Sequence, residues 1–321
     1  MAVYTQVSDE ELARFVAGHG LGELRFVKGI AEGVENTNYL IETQRGRYIL
    51  TIYEKRVAPQ SLPYYLGLME HLSAKGIACP LPVRDGNGQQ IAQLAGRLAA
   101  IVTFLEGVSL RQPAARHCEL VGEGLARLHH AGLDYPSRLP NALGPEGWEP
   151  LFQGFRERAD EIRPGLVTFI ETELATLLPA WPARLPQGVI HADLFPDNAF
   201  FLGDRLSGII DFYFACNDML AYDVAICLNA WCFDDMRRFD RDKAAALLAG
   251  YQRARPLEPA ERAALPTLAR GAALRFLLTR ANDWLTTPKD AIVKPHDPAD
   301  YVARIEQHRA MTSARDYGLE A

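Results

Sequence analysis

Two short apolar runs constrain this chain more than any other part of it. Val189–Ile190 leads into His191–Ala192–Asp193–Leu194–Phe195–Pro196–Asp197–Asn198, and Leu206–Ile210 leads directly into Asp211. Each run reads as a strand, and each delivers the chain to residues with hard oxygen donors. Asp193 and Asn198 stand five residues apart on one polar loop. Alone, such a pair is an ordinary turn former. With His191 two residues before Asp193 and a second strand ending at Asp211, the joint pattern points to phosphoryl transfer. A carboxylate takes a hydroxyl proton, while an amide and a second carboxylate offer oxygen ligands to a divalent cation beside phosphates.

The flanking chain divides into two kinds of sequence. Ser8–Val16 predicts a helix with Ser8 as cap and Glu11 completing a capping box. Strand-like stretches follow at Glu23–Ile30, Asn38–Thr43 and Arg47–Tyr53, then a helix over Pro63–Lys75 and further strands at Gln89–Leu94 and Leu98–Phe104. Beyond Phe104–Gly107 the pattern turns helical: Ala114–His130, Leu151–Arg163, Val167–Leu178, Tyr222–Trp231, Asp240–Arg253, Pro259–Thr286 with an interruption near Pro266, and Ala299–Ala314. Asp134–Trp148, rich in Pro and Gly, reads as a surface connection. The expected architecture is a small antiparallel-sheet lobe over residues 1–105 and a larger, mainly helical lobe over 106–321, with a hinge near 104–109. No GxGxxG or GxxxxGK[ST] sequence supports a dinucleotide fold or a P-loop.

Composition narrows the partners. With 34 basic and 40 acidic residues well mixed, a formal charge of -6 and no basic block, nucleic acid is not the expected partner. No basic leader with an apolar core opens the chain, and no apolar run is long enough to span a bilayer, so no membrane partner is expected. Five cysteines without a CxxC pair fit a reducing cytoplasm.

HADLFPDN and IIDF resemble the two signatures of the aminoglycoside phosphotransferase and choline kinase superfamily. The resemblance implies an α+β, protein-kinase-like, two-lobed fold that uses ATP and Mg2+. Within that superfamily, GVENTNYLIET, GRYILTIYEKR, IIDFYFACNDMLAYDVAICLNAWCFD and ALRFLLTRANDW resemble the bacterial homoserine kinase family, over nearly the whole chain. The implied reaction is phosphorylation of the hydroxyl of L-homoserine in threonine biosynthesis. A choline, ethanolamine or other amino-alcohol kinase is the alternative, and a catalytically silent scaffold is disfavoured by the presence of Asp193, Asn198 and Asp211.

Residue by residue, the resemblance makes Asp193 the catalytic base, with His191 in support, and Asn198 and Asp211 the metal ligands. For the nucleotide it points to Gly33, Asn36 and Thr37 in the loop Glu32–Asn38, and to the backbone around Phe104 and Glu106 at the hinge. The superfamily commonly has a basic residue where this chain has Thr51; either Lys55, on the same strand face by period two, reaches the phosphates, or another cation or the metal does that work, and Glu70 is a candidate partner for such a lysine. For the acceptor, Asn217 and Asp218 are expected pocket-wall residues, and Arg275 or Arg280, in an otherwise apolar helix, is expected to grip the carboxylate. Trp231 and Trp284 would instead serve a quaternary ammonium if choline were the acceptor.

Overall fold

The computed structural model describes residues 5–30, 36–54, 57–288 and 295–319. Gly33 and Lys55, both expected at the nucleotide, lie outside the described residues. The chain divides into two compact units, one made of Met1–Glu106 with Gly208–Tyr213, the other of Gly107–Ser207 with Phe214–Ala321. The division assigns Gly208–Tyr213, and with it Asp211, to the smaller unit, where a single cut near 104–109 would have left it with the larger.

In the smaller unit, α1 (Asp9–Gly18) begins where the capping box predicts, with Ser8 Oγ accepting from the Glu11 amide at 3.3 Å. The strands β1 (Leu24–Ile30), β2 (Thr37–Thr43), β3 (Gly46–Ile52), β4 (Ala92–Leu94) and β5 (Arg97–Thr103) form one antiparallel sheet in the order β1-β2-β3-β5-β4. Alternation along β2 buries Tyr39 and Ile41, and Leu50, Ile52 and Ile101 join them against Leu12 and Val16 of α1. The helix α2 (Leu62–Ala74) connects β3 towards β4 and β5.

The larger unit is built on α3 (Ala115–Gly132), α4 (Pro145–Gln153), α5 (Ala159–Ile162), α6 (Leu166–Ala180), α7 (Leu220–Trp231), α8 (Arg241–Ala254), α9 (Pro259–Thr286) and α10 (Ala299–His308). Within it β6 (Gln187–Ile190) pairs antiparallel with β9 (Cys216–Met219); β7 (Ala199–Leu202) pairs with β8 (Arg205–Ile209), whose last two residues are counted with the smaller unit. Three expectations are corrected. The segment expected as one helix over Leu151–Arg163 is two, and the first starts earlier, because Pro145 after Gly144 suits a first helical position. The helix α9 runs unbroken through Pro266, whose flanking Leu265 and Leu268 are fully buried and hold the helix in the core. The last helix ends at His308 rather than Ala314.

Helices α3 and α8 cross with backbones almost touching. A Cβ on Gly122 would lie 2.0 Å from the Leu247 carbonyl oxygen, and one on Gly250 would lie 2.0 Å from that of Glu119. No side chain fits either place. Gly250→Ala should therefore destabilise the protein by about 1–3 kcal/mol through forced separation of the helices. Chemical denaturation with an unchanged midpoint would refute this reading of the crossing.

Candidate active site

The loop 191–198 begins as β6 ends, with Ile190 opposite Cys216 in the sheet. Its backbone is held from one face of α7. Both carboxylate oxygens of Asp223 accept from consecutive loop amides, Oδ2 from His191 at 2.7 Å and Oδ1 from Ala192 at 2.9 Å. One helical turn on, the Cys227 thiol reaches the Leu194 carbonyl at 3.8 Å, and a further turn on the Trp231 indole donates to that same carbonyl at 2.8 Å. Residues spaced by four share a helix face, so α7 presents these three groups as a row.

Behind Asp223 runs a buried polar chain. His129 Nε2 meets Asp223 Oδ2 at 3.0 Å, His129 Nδ1 meets the Tyr251 hydroxyl at 2.8 Å, and Arg255 donates to that hydroxyl at 3.1 Å while pairing with Glu261. Proton directions follow from the ends. Arg255 can only donate, so the Tyr251 oxygen accepts from it and passes its own proton to Nδ1, leaving Nε2–H for the carboxylate. Burial pushes the Tyr251 phenol well up, which keeps that proton in place. Burial opposes charge on Asp223, but the His129 hydrogen bond, with His191 and its amide, outweighs it and holds the carboxyl below its usual range.

Within the loop, His191 is fully buried and its Nδ1 accepts from the Asp193 amide at 3.2 Å, so its ring serves the backbone. Asn198 turns its Nδ2 to the Asp193 carbonyl at 2.8 Å and lies 3.4 Å from Asp193 Oδ2. That orientation leaves the Asn198 amide oxygen as the atom suited to a cation. Ala192, between the two clamped peptides, has φ 61, a left-handed backbone costly for alanine, and its carbonyl accepts from Arg275 at 2.9 Å. The same Arg275 nitrogen lies 3.8 Å from Asp193 Oδ1.

A sequence model of the phosphotransferase enzyme family matches residues 27–257 of this chain. The chain belongs to that family. A homoserine kinase of Xanthobacter autotrophicus is 58% identical to this phosphotransferase over 321 residues, covering 100% of both chains. One of Bradyrhizobium diazoefficiens is 59% identical over 320 residues, 99% of this chain and 98% of its own. Among solved structures, an amicoumacin kinase aligns at a TM-score of 0.68 with 17% identity, over 94% of this chain and 92% of the other, which is a likeness of fold. The phosphotransferase thus has the two-lobed α+β kinase-like architecture, with a small antiparallel sheet and a larger helical part.

In the smaller unit of the phosphotransferase, Asp211 has φ 64, a conformation that aspartate tolerates better than most residues. Near it, Thr51 bonds Asn38 at 2.8 Å and Tyr213 meets Tyr53 hydroxyl to hydroxyl at 3.0 Å. Burial, with the charge of Asp211 adding, pushes the Tyr213 phenol up to about 12. Thr51 is therefore part of a neutral hydroxyl network where a basic residue was the family expectation. Asn36 and Thr37 are engaged within the sheet lobe: Asn36 Oδ1 accepts from the Glu54 amide at 3.3 Å, and Thr37 Oγ1 donates to Glu54 Oε1 at 2.7 Å. Phe104 and Glu106 are both held by Arg47, whose guanidinium lies 4.5 Å over the Phe104 ring and 2.9 Å from Glu106. Glu70 pairs with Arg84 at 2.8 Å.

The expected acceptor residues separate. Asn217 Oδ1 accepts from the Leu139 amide at 2.8 Å, and Asp218 accepts from Asn141 at 2.7 Å while burial pushes its carboxyl up. Both brace β9 against the segment 139–141. Arg275 is buried beside Asp193, whereas Arg280 keeps its side chain 16% exposed, 3.7 Å from Asp300 and 4.6 Å over the Tyr301 ring. Trp231 is buried with its indole on the loop and Trp284 is exposed, so the two do not share an environment. His129, Asp223 and Arg275 are the residues whose service to the loop the sequence did not disclose. Their available signal was polar residues on otherwise apolar helix faces, as at Leu125–His129.

Proposed function

We propose that this phosphotransferase moves the γ-phosphoryl group of ATP to the hydroxyl of L-homoserine, giving O-phospho-L-homoserine and ADP. The observation that carries the reading is full-length identity near 58% to homoserine kinases in a chain that keeps Asp193, Asn198 and Asp211. Asp193 accepts the hydroxyl proton as the oxygen attacks phosphorus, and the loop held by Asp223 and Arg275 keeps that carboxylate in place. His191 supports it by fixing the Asp193 amide.

Magnesium fits the donors present. The amide oxygen of Asn198 and the carboxylate of Asp211 are hard ligands of the kind magnesium combines with phosphate oxygens and water, and each is assigned to it on its own chemistry. No cluster of three or more His, Cys, Asp or Glu suited to a metal occurs among the described residues. Bound with ATP, the ion supplies neutralisation of phosphate charge. For the nucleotide, the backbone of Glu32–Asn38 and of Phe104–Glu106 is assigned to the phosphates and the adenine edge, with Gly33 and Lys55 assigned by resemblance alone. The side chains of Asn36 and Thr37 are engaged with Glu54.

Of the two arginines, Arg280 is assigned to the acceptor carboxylate, since its side chain is partly open and its ion pair to Asp300 is long, at 3.7 Å. Asn217 and Asp218 serve the wall of the site as braces. No helix among the described residues is long and apolar enough to cross a membrane, and all five cysteines are unpaired thiols; we place the reaction in the cytoplasm.

Initial rates with L-homoserine, L-serine, choline and ethanolamine, with ADP release followed and products identified, test the reading. Homoserine should exceed the others by about 10²-fold or more, choline and ethanolamine because they leave a carboxylate-binding arginine unpaired. Serine, one methylene shorter, misplaces its hydroxyl by about 1 Å, which costs a similar factor. Faster turnover of choline than of homoserine would replace the acceptor and keep the kinase.

A further inference from the structure

We infer that Arg275 is a positioning residue for Asp193, holding the catalytic carboxylate from behind, and not a ligand of the acceptor. The inference rests on the reading of Asp193 as the base. Its grounds are geometric. Arg275 is only 4% exposed, and its guanidinium lies 3.9 Å from the centre of the Phe276 ring and 5.4 Å from that of Phe214. A bidentate grip on a carboxylate needs an open edge of the guanidinium. Arg275 does not offer one.

What it does offer is directed at the loop. Ala192 occupies a left-handed backbone position at φ 61, and such strain persists only where the surroundings over-determine it. Here Asp223 fixes the Ala192 N–H at 2.9 Å and Arg275 fixes the Ala192 carbonyl at 2.9 Å, so the peptides on both sides of the strained residue are held. Asp193 follows immediately, and its side-chain direction is set by that second peptide.

The remaining distance matters as much. Arg275 approaches Asp193 Oδ1 to 3.8 Å, beyond hydrogen-bond reach but close enough for attraction between a buried guanidinium and a partly exposed carboxylate. At 3.8 Å the guanidinium attracts and orients the carboxylate. Asn198 supplies the other lateral contact, 3.4 Å from Asp193 Oδ2. Each oxygen of the base is thus approached by a fixed group of the protein, Oδ1 by Arg275 and Oδ2 by Asn198.

The test compares full-length wild type, Arg275→Gln and Arg275→Lys in three reactions. These are phosphorylation of L-homoserine, phosphorylation of 3-amino-1-propanol, which is the same alcohol without the carboxylate, and slow ATP hydrolysis with water as acceptor. A positioning role predicts that Arg275→Gln lowers kcat by about 10²-fold in all three, as a displaced reacting group does. The preference for homoserine over aminopropanol persists, KM for homoserine moves by no more than about threefold, and Arg275→Lys recovers part of the rate. A role on the acceptor predicts the reverse: a raised homoserine KM, collapse of the preference, and hydrolysis unchanged. That result overturns the inference. If Arg275→Gln melts below the assay temperature, Arg275→Lys carries the comparison, since it keeps the charge but not the planar donors and should lower all three rates together. Wild type that hydrolyses ATP yet leaves homoserine unmodified would sink the proposed acceptor, while the hydrolysis rates still decide the role of Arg275.

Discussion

Asp193→Asn should lower turnover by about 10²–10⁴-fold while leaving binding of a non-hydrolysable ATP analogue near that of wild type. The substitution is close to isosteric, and Asp193 is partly exposed, with its side chain 20% accessible. Little packing is therefore lost. What disappears is the anion that receives the hydroxyl proton and that faces Arg275 at 3.8 Å. Because the effect falls on the transition state and not on ground-state contacts to the acceptor, kcat and kcat/KM should fall together. Single-turnover measurements with homoserine would separate this from slowed product release. Near-normal turnover of a folded Asp193→Asn protein would remove the base from Asp193 and require another residue to take it.

Which parts of this arrangement were legible in the sequence follows from how far each contact reaches. Asp193 and Asn198 are five residues apart and touch through a local turn, so the pattern they form with His191 and Asp211 was readable from spacing. Helix α1 was similarly legible because Ser8 and Glu11 meet within three residues. Asp223 stands in the first turn of its own helix, where a carboxylate ordinarily anchors that helix's exposed amides. It does anchor amides, but those of His191 and Ala192, more than thirty residues earlier in the chain. Arg275 was read as an acceptor ligand because an arginine amid apolar residues needs an anionic partner. The partner proved to be internal, and sequence cannot distinguish a ligand's carboxylate from the protein's own. Asn36 and Thr37 were assigned to phosphate from their place in a turn between strands, yet their side chains meet Glu54, seventeen or eighteen residues on. Pro266 misled in the opposite direction, since the local cost of a proline inside a helix is outweighed by burial of the leucines on either side.

Asp223→Ala should damage both stability and activity, more than any other single change outside residues that touch the reactants. The side chain is fully buried and holds His129 and two loop amides at once. Removal leaves those donors unpaired in the interior, and the loss of one partner from a buried charged network costs about 3–5 kcal/mol. The loop consequence is separate. Ala192 would lose the contact that fixes its N–H, so its left-handed conformation would rest on Arg275 alone, and Asp193 would be less well aimed. Turnover at a temperature where the variant remains folded should drop by about 10²-fold, the usual penalty for misplacing a reacting group by about 1 Å. Asp223→Asn sharpens the test. It keeps the volume but turns one acceptor into an NH2 group facing donors, so it should destabilise nearly as much as alanine. Denaturant unfolding and kcat measured side by side decide the matter. If Asp223→Asn kept wild-type stability, the assignment of His129 Nε2–H as a donor to this carboxylate would have to be withdrawn.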